Sequence, residues 1–251
     1  MGTWSGMATR LAELRKILEG RFPDAVPVTY RTAAAVATGL GALDRVLPGG
    51  GLPRGRLTAW APGGGATAML QAACDAAVER GERAAWVDGG RVLSGEWLAG
   101  REGRAAPVLI HPEGEWGRRA ALECAEELLR SGGFALVVLS GVEVVGTDGV
   151  RLSRAAREGG GAFVALSGGV PVAALRLASA FVPERFRWRR GPFGEAAELE
   201  AVVVRVKVSS MGFSSQVEFP LPVANHEYRL ALDPGLADRR GADRAPAGRR
   251  S

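Results

Sequence analysis

Between Thr38 and Leu166, short apolar runs alternate with segments of helical period, and this alternation constrains the fold more than any other feature of the chain. The runs at 56–60, 84–88, 107–111, 134–139 and 162–166 are each bounded by Gly, Pro or Ser. Helix-like segments lie between them at 40–47, 66–80, 92–98, 117–130 and 150–158, and Gly81 stops the second. In 117–130, Ala121, Leu122, Ala125, Leu128 and Leu129 share one face, with Glu123, Glu126 and Glu127 around it. The run 134–139 is wholly apolar, as in a strand covered on both faces. The pattern predicts an α/β fold, a mostly parallel twisted sheet flanked by helices.

Both ends depart from it. At 7–19, Leu11, Leu14, Ile17 and Leu18 recur at helical spacing; Gly20 and Pro23 end the helix, and 25–30 is extended. This N-terminal helix plus strand (1–30) packs on its own domain or docks on a neighbour, and 32–38 reads as a connector. In the last third, 171–178 reads as a short helix. Strands at 185–190 and 201–208 follow, joined by Gly191-Pro192-Phe193-Gly194 as an antiparallel hairpin. Phe186 and Trp188 alternate there with Arg185, Arg187 and Arg189, which fits aromatics inward and arginines in water better than nucleic-acid contact. An edge strand is expected at 217–219, limited by Pro220 and Pro222. The core then spans 31–233. The remainder, 234–251, lacks apolar periodicity and reads as a disordered tail whose Arg239, Arg240, Arg244, Arg249 and Arg250 are candidate DNA contacts.

Composition removes several classes of function. The net charge of +5 comes almost wholly from arginine, the lysines being Lys16 and Lys207, and it permits a nucleic-acid or acidic partner without requiring one. Cys74 and Cys124 have no partner at metal-ligand spacing, and His111 and His226 stand alone, so no metal site is expected. No segment reads as a signal peptide, and no apolar run is long enough to span a bilayer, so a cytoplasmic protein without membrane contact is expected.

The run 56–60 leads through a glycine-rich loop at 61–65 into a helix, where a phosphate-binding loop belongs. The pattern G-x-x-x-x-G-K-[ST] is only half met. Its first glycine is Ala61, Pro62, Gly63 and Gly64 precede Gly65, its lysine is Ala66, and only the hydroxyl survives, as Thr67. A backbone cradle without the lysine predicts poor retention of a nucleoside triphosphate.

Ahead of this loop stand Thr38-Gly39-Leu40-Gly41-Ala42-Leu43-Asp44 and Gly50-Gly51-Leu52-Pro53-Arg54-Gly55-Arg56. Together these resemble the signature of the RecA core ATPases, a likeness spanning about 14–221. Val204-Arg205-Val206-Lys207-Val208 is similar to a later strand of that family. The N-terminal helix, with Leu14, Ile17, Leu18 and Phe22, resembles the element by which one RecA protomer grips the next. The resemblance implies that three catalytic positions are lost: Ala66 replaces the lysine, Ser140 the magnesium-binding aspartate and Gly90 the water-activating glutamate. It also implies that both DNA-binding loops are missing, since Gly168-Gly169-Val170 alone joins run 162–166 to the next helix. The degenerate loop and the turn Arg189-Arg190-Gly191-Pro192 are most similar to the ImuA family. That likeness implies a non-catalytic accessory protein of damage-induced translesion synthesis, without cofactor, binding RecA and the pseudo-polymerase ImuB. The alternatives are a SulA-like division inhibitor that binds FtsZ and a working RecA-family ATPase.

Overall fold

The computed structural model describes residues 34–93, 95–98, 105–112 and 117–222. The expected N-terminal helix and strand, the arginine tail, and both domain boundaries drawn at 30 and 233 lie outside them.

The parallel strands are β3 (Leu57–Trp60), β4 (Ala84–Asp88), β5 (Val108–Ile110), β6 (Leu136–Ser140), β7 (Ala162–Leu166) and β8 (Leu175–Phe181). They lie in the order β8-β3-β7-β6-β4-β5. Beyond β8 come the antiparallel β10 (Ala196–Ser210) and the edge strand β11 (Phe213–Pro222), and β9 (Arg187–Arg190) pairs with β10. A small separate ladder joins β1 (Ala35–Val36) to β2 (Leu52–Pro53). The fold is therefore α/β, mostly parallel, with antiparallel strands at its C-terminal end.

The helices are α1 (Gly41–Asp44), α2 (Ala66–Glu79), α3 (Gly117–Arg130) and α4 (Thr147–Gly159). Strand alternation distributes the core between two faces. Leu57, Ala59, Val87, Val137, Leu139, Phe163 and Ala165 form one buried cluster with Ala121, Leu122, Ala125 and Leu129 of α3 and Leu152, Ala155 and Ala156 of α4. The intervening residues, among them Trp60, Trp86, Val138 and Val164, are fully buried too, on the side where right-handed connection places α2. Burial on both faces is why β6 contains no polar residue before its last, Ser140.

Two elements correct the sequence expectations. Residues 171–178 are not a helix: a turn at Pro171 and Val172 leads into β8, where Leu175 and Leu177 are buried while Arg176 and Ala178 are exposed. Hydrogen bonding to β3 on one side and β10 on the other overrides the helical propensity of an alanine-rich run. The segment after 166 thus leads to a strand. The 32–38 connector, likewise, contains β1, whose register sets Ala35 against Pro53 and Val36 against Leu52.

By density of internal contact the described chain falls into two units, 34–181 with Val204–Phe219, and Val182–Val203 with 220–222. The second unit contains β9 and the first part of β10, a hairpin closed by the Gly191 N–H to Glu195 O bond.

Candidate functional site

Ligands of open α/β sheets gather at the carboxyl ends of the parallel strands. There the chain brings together the 61–65 loop, the turn after β4, the end of β6 and the start of α2.

The glycine motifs ahead of the loop serve packing. Thr38 is fully buried, and its N–H and Oγ1 both donate to Asp44 Oδ1 at 2.8 Å, stapling 38–44 into one turn. Gly51 faces the Val36 carbonyl so closely that a Cβ would sit 2.3 Å from its oxygen.

In the loop, Gly63, Gly64 and Gly65 have φ of 108°, 52° and 80°, a run that side-chain-bearing residues rarely adopt. Ala61 N–H donates to Leu177 O at 2.8 Å, and Ala66 N–H turns back to Gly63 O at 3.0 Å. Ser179 of β8 ties the loop to the sheet: its Oγ donates to Gly63 O at 3.0 Å and accepts from Trp60 Nε1 at 3.3 Å. A Cβ on Gly64 would lie 2.2 Å from Ser179 O. The loop is laid onto β8, with one of its amides spent on itself. Ala66 is buried, and Thr67 is half-buried one position on.

Ser140, at the end of β6, is buried between two partners. It accepts from Trp86 Nε1 at 2.8 Å and donates to Asp88 Oδ1 at 2.9 Å. Asp88 has no exposed surface, its Oδ2 accepts the Leu93 N–H at 2.8 Å, and His111 Nε2 stands 3.6 Å from that oxygen. Sequence reading passed over Asp88. The one available signal was an aspartate ending an apolar strand before Gly89-Gly90.

Gly90 lies in the turn after β4, against the backbone that follows Ser140. A Cβ there would meet Gly141 Cα at 2.9 Å, and one on Gly141 would meet Gly90 N at 2.1 Å. A glutamate does not fit at Gly90 unless that backbone moves. The joins that leave this edge are short, 141–146 from β6 to α4 and 167–174 from β7 to β8.

These residues do not match the requirements of a nucleoside triphosphate and its magnesium ion. No lysine stands at the loop, no carboxylate at the end of β6, and both oxygens of Asp88 are already engaged. Burial, with a smaller contribution from Asp75, pushes the Cys74 thiol far above its ordinary range, so it behaves as a core residue; the half-buried Cys124 shifts the same way. Among the described residues no group of His, Cys, Asp and Glu has the arrangement of a metal site, and no helix is long and apolar enough to cross a membrane. The candidate partner contacts Leu14, Ile17, Leu18 and Phe22 and the tail arginines lie outside the described residues.

A parallel sheet in this order, with a glycine loop between its β3 strand and α2, is a RecA-like fold. Among solved structures the chain is similar to the crystal structure of the RadB recombinase, with a TM-score of 0.50 and 16% identity over 72% of this chain and 94% of that one. At that identity the likeness concerns the fold. No family model and no curated protein matches the sequence.

Proposed function

We propose that the chain is a non-catalytic, RecA-like accessory protein of damage-induced translesion DNA synthesis, of the ImuA type, which binds RecA and an ImuB-type pseudo-polymerase. The observation that carries the reading is the phosphate loop, tied to β8 through Ser179 and lacking its lysine at Ala66. Two further positions agree with it. Ser140 is a structural hydrogen-bonding residue where the family's metal carboxylate belongs, and Gly90 is pressed against Gly141 where the family's glutamate belongs. Phosphoryl transfer rests on positioned charge around the phosphates and metal; this edge has no lysine at the loop and no carboxylate at the end of β6, and Asp88 is held in hydrogen bonds. A RecA-like body that keeps its architecture and drops its chemistry is suited to holding partners, and the sequence likeness to ImuA supplies their names.

The test is co-purification of the full chain with RecA, ImuB and FtsZ offered separately. Retention of RecA or ImuB is expected; retention of FtsZ alone would replace the reading with a SulA-like division inhibitor.

A further inference from the structure

A half-buried strand hides one set of alternate side chains, and the sequence of β9 predicts that its aromatic set is the hidden one. The hairpin departs from this. Arg187, Trp188, Arg189 and Arg190 are all exposed, Trp188 to 49%, and Phe193 at the turn to 95%. The register sets Trp188 opposite Leu199 and Arg190 opposite Ala196, with irregularities in β10 between Ala196 and Glu198 and between Leu199 and Ala201. Along β9 itself, the two-residue period puts Trp188 and Arg190 on one face and Arg187 and Arg189 on the other. The charges are unevenly committed. Arg189 is paired with Glu198, and Arg190 gives one N–H to Gly194 O at 2.7 Å, leaving further donors on its guanidinium. Glu195 is engaged by the Phe193 N–H at 3.0 Å, and Glu200 is the remaining exposed acid of this stretch of β10.

We propose that this hairpin binds single-stranded nucleic acid, with Trp188 stacking on a base, Arg190 holding a neighbouring phosphate, and Phe193 offering a second ring at the turn. An exposed indole beside a guanidinium has the two properties such a ligand needs, since every base has a π-face and every nucleotide a negative charge. Contacts of this kind are tolerant of sequence. They favour single strands over duplex, whose bases are stacked on one another.

The experiment is a fluorescence-anisotropy titration of the full chain with a labelled thymidine oligonucleotide of about 16 nucleotides, repeated between about 50 and 200 mM salt. Trp188→Ala is expected to weaken binding about tenfold with its salt dependence retained, while Trp188→Phe keeps most of the affinity. Arg190→Gln is expected to reduce the slope of log affinity against log salt by about 0.7, the value for one phosphate on a single strand. Arg187→Gln, on the opposite face, changes it less. Circular dichroism on each variant confirms that an exposed substitution leaves the fold intact. Parental affinity in both Trp188→Ala and Arg190→Gln, equal binding of duplex, or no binding by the full chain overturns the proposal. So does loss of all binding on replacing Arg239, Arg240, Arg244, Arg249 and Arg250 while both hairpin variants bind normally. If Trp188→Ala keeps the oligonucleotide and loses RecA in co-purification, the face is a protein contact and the nucleic-acid proposal fails.

Discussion

Ser140 has a structural role at the end of β6. Its hydroxyl accepts the Trp86 indole N–H and, with the Leu93 N–H, donates to the fully buried Asp88 carboxylate. Ser140→Ala leaves a buried donor and a buried acceptor each short of a partner, at about 1–3 kcal/mol apiece. We therefore expect a loss of about 2 kcal/mol or more in chemical denaturation, and a Ser140→Thr variant should retain part of it. Ser140→Asp, which places an acid where the resemblance to the RecA core expects one, should also destabilise the protein, because it sets two carboxylates together away from water. Ala66 makes the same point. It is 1% exposed, beneath a loop fixed to Ser179, so Ala66→Lys should bring no ATP turnover and should lower the melting temperature. The sequence shows that Ala66, Ser140 and Gly90 stand where the resemblance to the RecA core expects a lysine and two acids. It does not show that Ser179 ties the loop to β8, because that contact joins residues 116 positions apart.

Elements were legible where local preference and tertiary setting agree. The spans 84–88, 117–130 and 162–166 read from the sequence are those of β4, α3 and β7. Agreement failed in β8, whose alanines favour helix while its alternating Leu175 and Leu177 fit the strand imposed by β3 and β10. It failed again in β9, where alternation was present but the covering layer was not. Between helices, α3 and α4 are tied through Glu126, whose side chain is 9% exposed and meets Arg130 at 2.8 Å and Arg151 at 2.7 Å. The arginines reach solvent, so they keep water when the acid is removed, and Glu126→Ala should cost about 1–2 kcal/mol. Urea denaturation reads this. An unchanged midpoint would mean that the helix pair rests on its apolar contacts alone.

At the scale of the whole chain, the sheet carries a RecA-like order while its carboxyl edge is finished with short joins at 141–146 and 167–174. Under the proposed function such a subunit would suit the end of a filament better than its middle: it would dock on a RecA protomer yet offer the next one no nucleotide to share. The docking element expected from the sequence is the N-terminal helix, outside the described residues. If it holds RecA, Phe22→Ala and Leu18→Glu should each weaken RecA binding about tenfold in a titration, with circular dichroism unchanged. Folded variants that bind as the parent does would move the contact elsewhere. With no lysine at its phosphate loop, the protein is proposed to work without nucleotide. The most direct test is equilibrium binding of a fluorescent ATP analogue to the full chain with magnesium, alone and with single-stranded DNA, alongside a hydrolysis assay. Neither saturable binding nor hydrolysis above background is expected. Saturable, magnesium-dependent binding that Thr67→Ala abolishes, or hydrolysis stimulated by DNA, would contradict the proposal.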